Sequence, residues 1–405
     1  MMKVIVIGGG AAGMTAAYFA ATDGADVLLL EKNEKLGKKM YISGKGRCNL
    51  TNNCTPQEFL DNVVSNAKFL RGAIHRFSPQ DAMRFFEEHS LPLKTERGNR
   101  VIPKSDKSSD VIRTLERAVR GAGAEIRLDC NVTDVTFCDG FFHVETPFGS
   151  LSCDRLIVAC GGYSYRSTGS DGFGYRVAEK FRHNVVPLAP ALCRILCKGT
   201  QSLQGLSLKN VTLSAVKGGK AVSEFGEMLF TDDGVSGPAA LSLSSKINRT
   251  GADFLTVDLK PALSAEVLDA RILRDFKQRM NKNLINALDA LLPERLIAQV
   301  VKQSGIPPYK KVNQITAEER GRLLAALKGL RFDYVGLDDV NCGIVTAGGV
   351  DVGQIEPSTM QSKLQKGLYF AGEVLDVDAL TGGFNLQTAF ACGYVAGRAA
   401  AKESV

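Results

Sequence analysis

The chain has 405 residues, of which 44% are hydrophobic and 23% charged, and its formal charge is +7. That is enough for two domains with cores of their own, at roughly 100–200 residues per domain, and the balance excludes disordered and fibrous polymers. No apolar run approaches the roughly 18 residues of a membrane span. Lys and Arg are scattered, and stretches such as Lys35 to Lys39 and Arg271 to Lys282 alternate with apolar or acidic residues. They read as solvated surface, so neither nucleic acid nor membrane is expected as a partner, while a small anionic ligand suits the balance. Ten cysteines without a C-x-x-C pair exclude a zinc ribbon and a dithiol motif. No metal site is expected, and the scattered thiols fit a reducing, cytoplasmic setting.

The chain opens with an apolar strand, Val4 to Ile7, that runs straight into Gly8-Gly9-Gly10-Ala11-Ala12-Gly13. This run is broken by glycines and continues into a folded motif, so it does not read as a signal peptide. A helix from Met14 to Ala21, a turn at Asp23-Gly24, a second strand from Val27 to Leu30 and then Glu31 complete the unit. Gly8, Gly10 and Gly13 have the G-x-G-x-x-G spacing of a dinucleotide site: a tight turn, close backbone approach to a pyrophosphate, and helix–strand packing. The helix N-terminus offers free N–H groups to phosphate. Glu31 stands where a carboxylate accepts hydrogen bonds from an adenosine ribose.

A Lys-, Gly- and Asn-rich loop follows, then helix-like spacing from Pro56 to His89 and a further helix that Asp110 is placed to cap. Short strands are predicted at Glu125 to Leu128, Val132 to Phe137, Phe141 to Thr146 and Arg155 to Ala159, the last stopping at Gly161-Gly162. From about Pro190 β-like segments appear (Val211 to Val216, Phe254 to Leu259), followed by a mainly helical stretch over 262–330. Gly-rich, strand-like texture returns at Gly343. Near the C-terminus Leu368 to Ala371 enters Gly372-Glu373, and Gly382-Gly383 leads into a helix from Asn385 to Ala401. The division is therefore a nucleotide-binding domain over 1–189, an inserted domain over 190–342 with strands first and helices after, and completion of the first domain over 343–405.

Several segments resemble the signatures of one family: SGKGRCNLTN at Ser43 to Asn52, STGSDGFGYRVAE at Ser167 to Glu179, and GEMLFTDDGVSGPAALSLS at Gly226 to Ser244. VTAGGVDV at Val345 to Val352 and YFAGEVLDVDALTGGFNLQTAFACGYVAG at Tyr369 to Gly397 belong with them. The family is that of bacterial NAD(P)/FAD-dependent oxidoreductases, aminoacetone-oxidase-like or bile-acid dehydroxylation-type, distantly like fumarate reductase flavoproteins. The resemblance runs nearly end to end. It implies an α/β, Rossmann-like FAD fold of two dinucleotide-binding domains, with the β-then-α insert.

It also implies site residues. Gly8, Gly10, Ala11, Ala12 and Gly13 hold the pyrophosphate, and Glu31 the ribose. Lys32, Lys39, Ser43, Gly44, Gly46, Arg47, Cys48 and Asn49 lie along phosphate, ribityl chain and flavin. Val132 offers its backbone to adenine. Gly161, Gly372, Glu373, Gly383, Asn385 and Leu386 line the ribityl and flavin regions. The four histidines, His75, His89, His143 and His183, lie outside the phosphate loop, so FAD is expected to be noncovalent. Gly169 to Gly174 opens on a turn and reads as structural, which leaves NAD(P)H as a diffusible donor rather than the occupant of a second fingerprint. The expected function is an FAD-dependent oxidoreductase that takes electrons from NAD(P)H and reduces a C=C or C=O group of a small or medium organic molecule. Two alternatives stay open: an oxygen-dependent amine oxidase, and a low-turnover FAD-binding redox sensor. Sequence names no catalytic acid or base.

Overall fold

The computed structural model describes residues 1–402 and divides into two compact units, Met1–Ala191 with the chain from Asp339 onward, and Leu192–Asp338. The breaks fall within a few residues of the 189/190 and 342/343 expected from texture.

The first unit is built on a seven-stranded sheet. Five strands are parallel, in the order Leu368–Phe370, Arg155–Val158, Lys3–Ile7, Asp26–Leu30, Glu125–Arg127. The central ones are continuous apolar runs because helices cover both faces of a parallel sheet; Val4, Ile5, Val6, Leu29 and Leu156 have no exposed surface. Ile355–Glu356 and Gln361–Ser362 extend the sheet in antiparallel fashion. Helix Ala11–Thr22 and helix Phe384–Ala400 pack closely together because they meet on glycine and alanine. A side chain at Gly393 or Gly397 would run into the backbone of Ala12 or Ala16. The region from Pro56 to His89 forms three helices, Pro56–Leu60, Ala67–Arg76 and Pro79–Glu88. Two of them start in capping boxes, at Thr55 and Ser78. Asp110 does not cap its helix, which begins two residues earlier at Ser108; the carboxylate instead sits in the first turn, where the helix dipole favours it.

The second unit is a closed six-stranded antiparallel barrel with helices. Around the barrel run Ile195–Cys197, Gly234–Ser236, Lys220–Phe230, Ser207–Lys217, Phe254–Asp258 and Leu330–Leu337. The order is not simply strands and then helices. Helix Pro238–Ile247 interrupts the strands, and Leu330–Leu337 returns after helices Ala265–Gln278, Glu294–Ser304 and Ala317–Lys328 to close the barrel. Closure needs a last strand to pair both free edges, a requirement that local periodicity does not encode.

Candidate functional site

Everything in this site belongs to the first unit. Gly8 has φ +109°, and a Cβ there would run into the Ala159 carbonyl. Gly13 packs so tightly against Gly8 that any side chain would strike the Gly8 carbonyl oxygen. Gly10 differs: nothing lies within 4 Å of where its Cβ would be. Helix Ala11–Thr22 therefore opens onto free space, with Gly10 as an N-cap that makes no side-chain hydrogen bond and with no acid in the first turn. The first ladder bond runs from Met14 N–H to Gly10 O, which leaves the N–H groups of Ala11, Ala12 and Gly13 without an intrahelical acceptor.

Glu31 is buried at the end of its strand and locked in place. Its Oε2 accepts from Gly9 N–H at 2.7 Å, and its Oε1 accepts from Asn33 N–H at 2.9 Å and Asn33 Nδ2 at 2.6 Å. Cys130 N–H donates to Glu31 O, so the segment leading to Val132 runs alongside. Lys32 pairs with Asp171 at 2.8 Å, in the GSDGFG turn. Burial pushes the Asp171 carboxyl up, but hydrogen bonds from Lys32 and Phe173 N–H, with nearby cations, prevail and hold it below its ordinary 3.8.

The second glycine turn is brought to the first by distant contacts. Gly372 (φ +81°) sits with its Cβ position 2.8 Å from the Ala12 methyl. Glu373, next in the chain, is gripped by Lys39 Nζ at 2.8 Å to each carboxylate oxygen and by Thr346 N–H at 3.0 Å. Ser164 Oγ donates to Glu373 at 3.2 Å and accepts from Lys39 at 2.7 Å. Thr346 Oγ1 in turn accepts from Tyr163 and Ser164 N–H at 2.8 and 3.0 Å, which fixes the Gly161-Gly162 turn. Gly383 (φ +97°) is the N-cap of helix Phe384–Ala400, and its Cβ would collide with Thr51. Asn52 Nδ2 donates to Gly382 O at 3.0 Å, and Thr51 Oγ1 to Gln387 at 2.8 Å. The Asn385 side chain folds back on Ala379, donating to its carbonyl at 2.8 Å and accepting its N–H at 3.0 Å. Gln387 N–H makes the first ladder bond, to Gly383 O, so the N–H groups of Phe384, Asn385 and Leu386 also lack intrahelical acceptors.

The loop between these turns holds Gly44, Lys45, Gly46 and Cys48 in the left-handed region. Its Asn49 Oδ1 is buried without a hydrogen-bond partner. Burial pushes the Cys48 thiol up to about 12, so it is a thiol rather than a thiolate at neutral pH. Arg47 lies elsewhere in its surroundings from an anion cradle, 2.9 Å from Glu96 and 3.6 Å from Asp106. Asn33, Ser164 and Thr346 are the partners that sequence reading missed. Ser164 follows Gly161-Gly162 and Thr346 lies in VTAGGVDV, but a hydroxyl-to-carboxylate pair such as Ser164–Glu373, 209 residues apart, leaves no local signal.

These residues fit a dinucleotide of the FAD type. Two uncapped helix N-termini, an open space at Gly10, an adjacent locked carboxylate and an orphaned amide oxygen at Asn49 are the complement that pyrophosphate, ribose and an N–H-bearing ring require. All ten cysteines are unpaired, and no metal-ligand cluster occurs among the described residues.

The comparisons agree with this geometry. A family model described as the HI0933-like protein Rossmann domain matches residues 2–399. The chain is 31% identical to a 3-dehydro-bile acid delta(4,6)-reductase of Clostridium scindens, over 99% of this chain and 100% of the relative. It is 30% identical to a ribosomal RNA dihydrouridine synthase of Escherichia coli, over 96% of each. Among solved structures it is similar in fold to a 3-ketosteroid-delta4-(5alpha)-dehydrogenase from Rhodococcus jostii, at 14% identity and TM-score 0.54, covering 99% of this chain and 97% of the other. The chain belongs to the HI0933-like Rossmann family of FAD-dependent oxidoreductases.

Proposed function

We propose that the protein reduces a carbon–carbon double bond conjugated to a carbonyl, using NAD(P)H as a diffusible donor. The two full-length relatives act on very different molecules, yet a 3-dehydro Δ(4,6) bile acid and a uridine share that one feature, an electron-poor C=C beside C=O. The observation that carries the reading is the pair of uncapped helix N-termini at Ala11 and Phe384, with no dithiol nearby. FAD, when bound, supplies two-electron exchange between the donor and the double bond. This chain's own residues would hold it: the Ala11 to Gly13 amides its phosphates, Glu31 its ribose, and the Phe384 to Leu386 amides the ring edge that gains negative charge. The sequence holds no C-x-x-C pair and all ten cysteines are unpaired, so no dithiol relay is invoked between donor and flavin. In balance, NAD(P)H and a proton give NAD(P)⁺ and a saturated C–C bond.

The charge distribution favours the uridine-type substrate. Residues 192–338 carry 21 Lys and Arg against 15 Asp and Glu, while the rest of the chain carries 29 against 28. The net surplus, though not the basic residues themselves, thus falls mostly in one unit, which supports a polyanionic carrier of the uracil ring, in departure from the expectation of no nucleic acid. Reduced thiols and the absence, among the described residues, of any helix fit to cross a membrane suit a cytoplasmic protein.

The test is anaerobic stopped-flow. NADH or NADPH should bleach the flavin, and a uridine-containing RNA or a steroid-type dienone should restore its colour and emerge carrying the added hydrogen. Bleaching by amines alone, with recovery only on admitting oxygen, overturns the reading in favour of an amine oxidase.

A further inference from the structure

We propose that the outer face of the barrel in the second unit is a docking surface for single-stranded RNA. The proposal rests on the reading of the substrate as an RNA-borne uracil and assigns the residues that hold the strand. Strands Lys220–Phe230, Ser207–Lys217, Phe254–Asp258 and Leu330–Leu337 are neighbours in the barrel. Their register sets Ser223, Ser214, Thr256 and Arg331 in one row across the outside. Phe225 stands opposite Thr212 in the row on one side, and Ala221, Val216 and Phe254 form the row on the other.

This face is unusual for a barrel exterior in three ways. Phe225 is 64% exposed, although a surface strand position normally carries a polar residue. Phe254 lies beneath the Arg331 guanidinium, whose carbon is 3.9 Å from the ring centre. Between the two rings lies a hydroxyl row, with Ser214 and Ser223 2.8 Å apart. An exposed aromatic platform, a guanidinium stacked on a second ring and intervening hydroxyls are what unstacked bases and their sugar–phosphate backbone require.

Cations frame the face. The hairpin tip carries Lys217 and Lys220 around Gly218-Gly219, and Lys209 is exposed at the irregular start of the same strand pair. The carboxylates nearby are mostly engaged: Asp258 with Lys328 at 2.6 Å, Asp253 with Gly218 N–H at 2.8 Å, and Glu224 with Lys246. Asp333, 3.6 Å from Arg331, and Glu227, two residues beyond Phe225 on its strand, are exposed. With the surplus of the whole chain concentrated in this unit, charge complementarity favours a polyanion over a neutral sterol or an apolar protein partner.

The experiment uses the full-length holoprotein and a fluorescein-labelled oligouridylate, read by anisotropy across a salt series. Phe225→Ala should weaken binding roughly tenfold, the loss of one stacked base, and Phe225→Tyr should restore it. Lys209→Gln with Lys220→Gln should lower the slope of log affinity against log salt by about one to two, with FAD content and bleaching by NAD(P)H unchanged. Variants that bind as the wild type does overturn the surface even if the wild type hydrogenates uridine in RNA. Phe225-dependent binding to anionic phosphatidylglycerol vesicles in place of the oligonucleotide also overturns it. A wild type that binds through Phe225 but hydrogenates no uracil keeps the surface and removes the proposed reaction.

Discussion

The two glycine turns of the first unit do related work by different means. The turn at Gly8 to Gly13 is local: its glycines are explained by contacts with each other and with the adjoining strand, and the acid that completes it, Glu31, is one strand away. The turn at Gly372 and Gly382-Gly383 is explained mainly by distant chain: Ala12, Lys39, Thr51 and Asn52, with Thr346 nearer in sequence and Phe384 beside Gly382. The first turn is a motif, the second an assembly. A motif fails as a unit, whereas an assembly loses one property at a time.

Gly13→Ala gives the largest expected effect. A methyl group there strikes the Gly8 carbonyl, and the cost of displacing backbone in a packed site is about 3 kcal/mol. Urea denaturation should register that loss, and the protein should elute from gel filtration nearly free of FAD. A yellow Gly13→Ala protein of normal stability would break the comparison.

Gly383→Val should act more narrowly. A side chain in the left-handed region costs about 1–2 kcal/mol, and this one also presses on Thr51. FAD should remain bound through its adenosine half, while the midpoint potential measured by potentiometry falls, because the Phe384 to Leu386 amides no longer favour the anionic reduced ring. An unshifted potential at full FAD occupancy would make Gly383 a simple helix cap.

The smallest effects separate the two ion pairs. Lys39–Glu373 has side chains 25% and 20% exposed, and a double-mutant cycle with Lys39→Met and Glu373→Gln should give a coupling of about 1 kcal/mol. For Lys32–Asp171, with Asp171 37% exposed, solvent screening leaves about 0.3 kcal/mol. Asp171 is held below its ordinary 3.8, so its contribution is present above that pH and is lost as pH falls through the folded value. Asp171→Asn should lower Tm by this small amount near neutrality and leave it unchanged well below pH 3.8, so that the acid limb of a Tm-against-pH curve flattens slightly. Equal couplings for the two pairs would contradict their ranking by exposure.

The same contrast explains what could be read from sequence. Gly10, Gly13 and Glu31 announce themselves because the requirements they meet lie within one strand–helix–strand unit, and Gly8 does so by its spacing although its close neighbour is Ala159. Strands with continuous apolar runs were legible for the same reason, whereas the capping boxes at Thr55 and Ser78 that help divide Pro56 to His89 into separate helices were not read. The positions of Gly372, Glu373 and Gly383 were legible as chemistry, but not the partners that hold them: a serine hydroxyl or a threonine amide that orients a carboxylate looks like any other in sequence. The closing strand of the barrel escaped because its pairing is decided by two edges left open more than 70 and 130 residues upstream. The charge surplus was visible in total, and only the boundary between units showed where it resides.

The Lys39–Glu373 contact joins residues 334 apart in the chain, and Thr51 meets Gln387 across 336. Between them lies the whole second unit, with a closed barrel of its own. On the ribosome, where chains grow from the N-terminus and domains fold as units, the pyrophosphate turn is made first and waits for its counterpart until the barrel has been synthesised. The nascent first domain must therefore keep the edge of strand Arg155–Val158 open for Leu368–Phe370, a parallel edge of the kind that invites wrong pairing. A complete site therefore forms only once the chain beyond the barrel has been made.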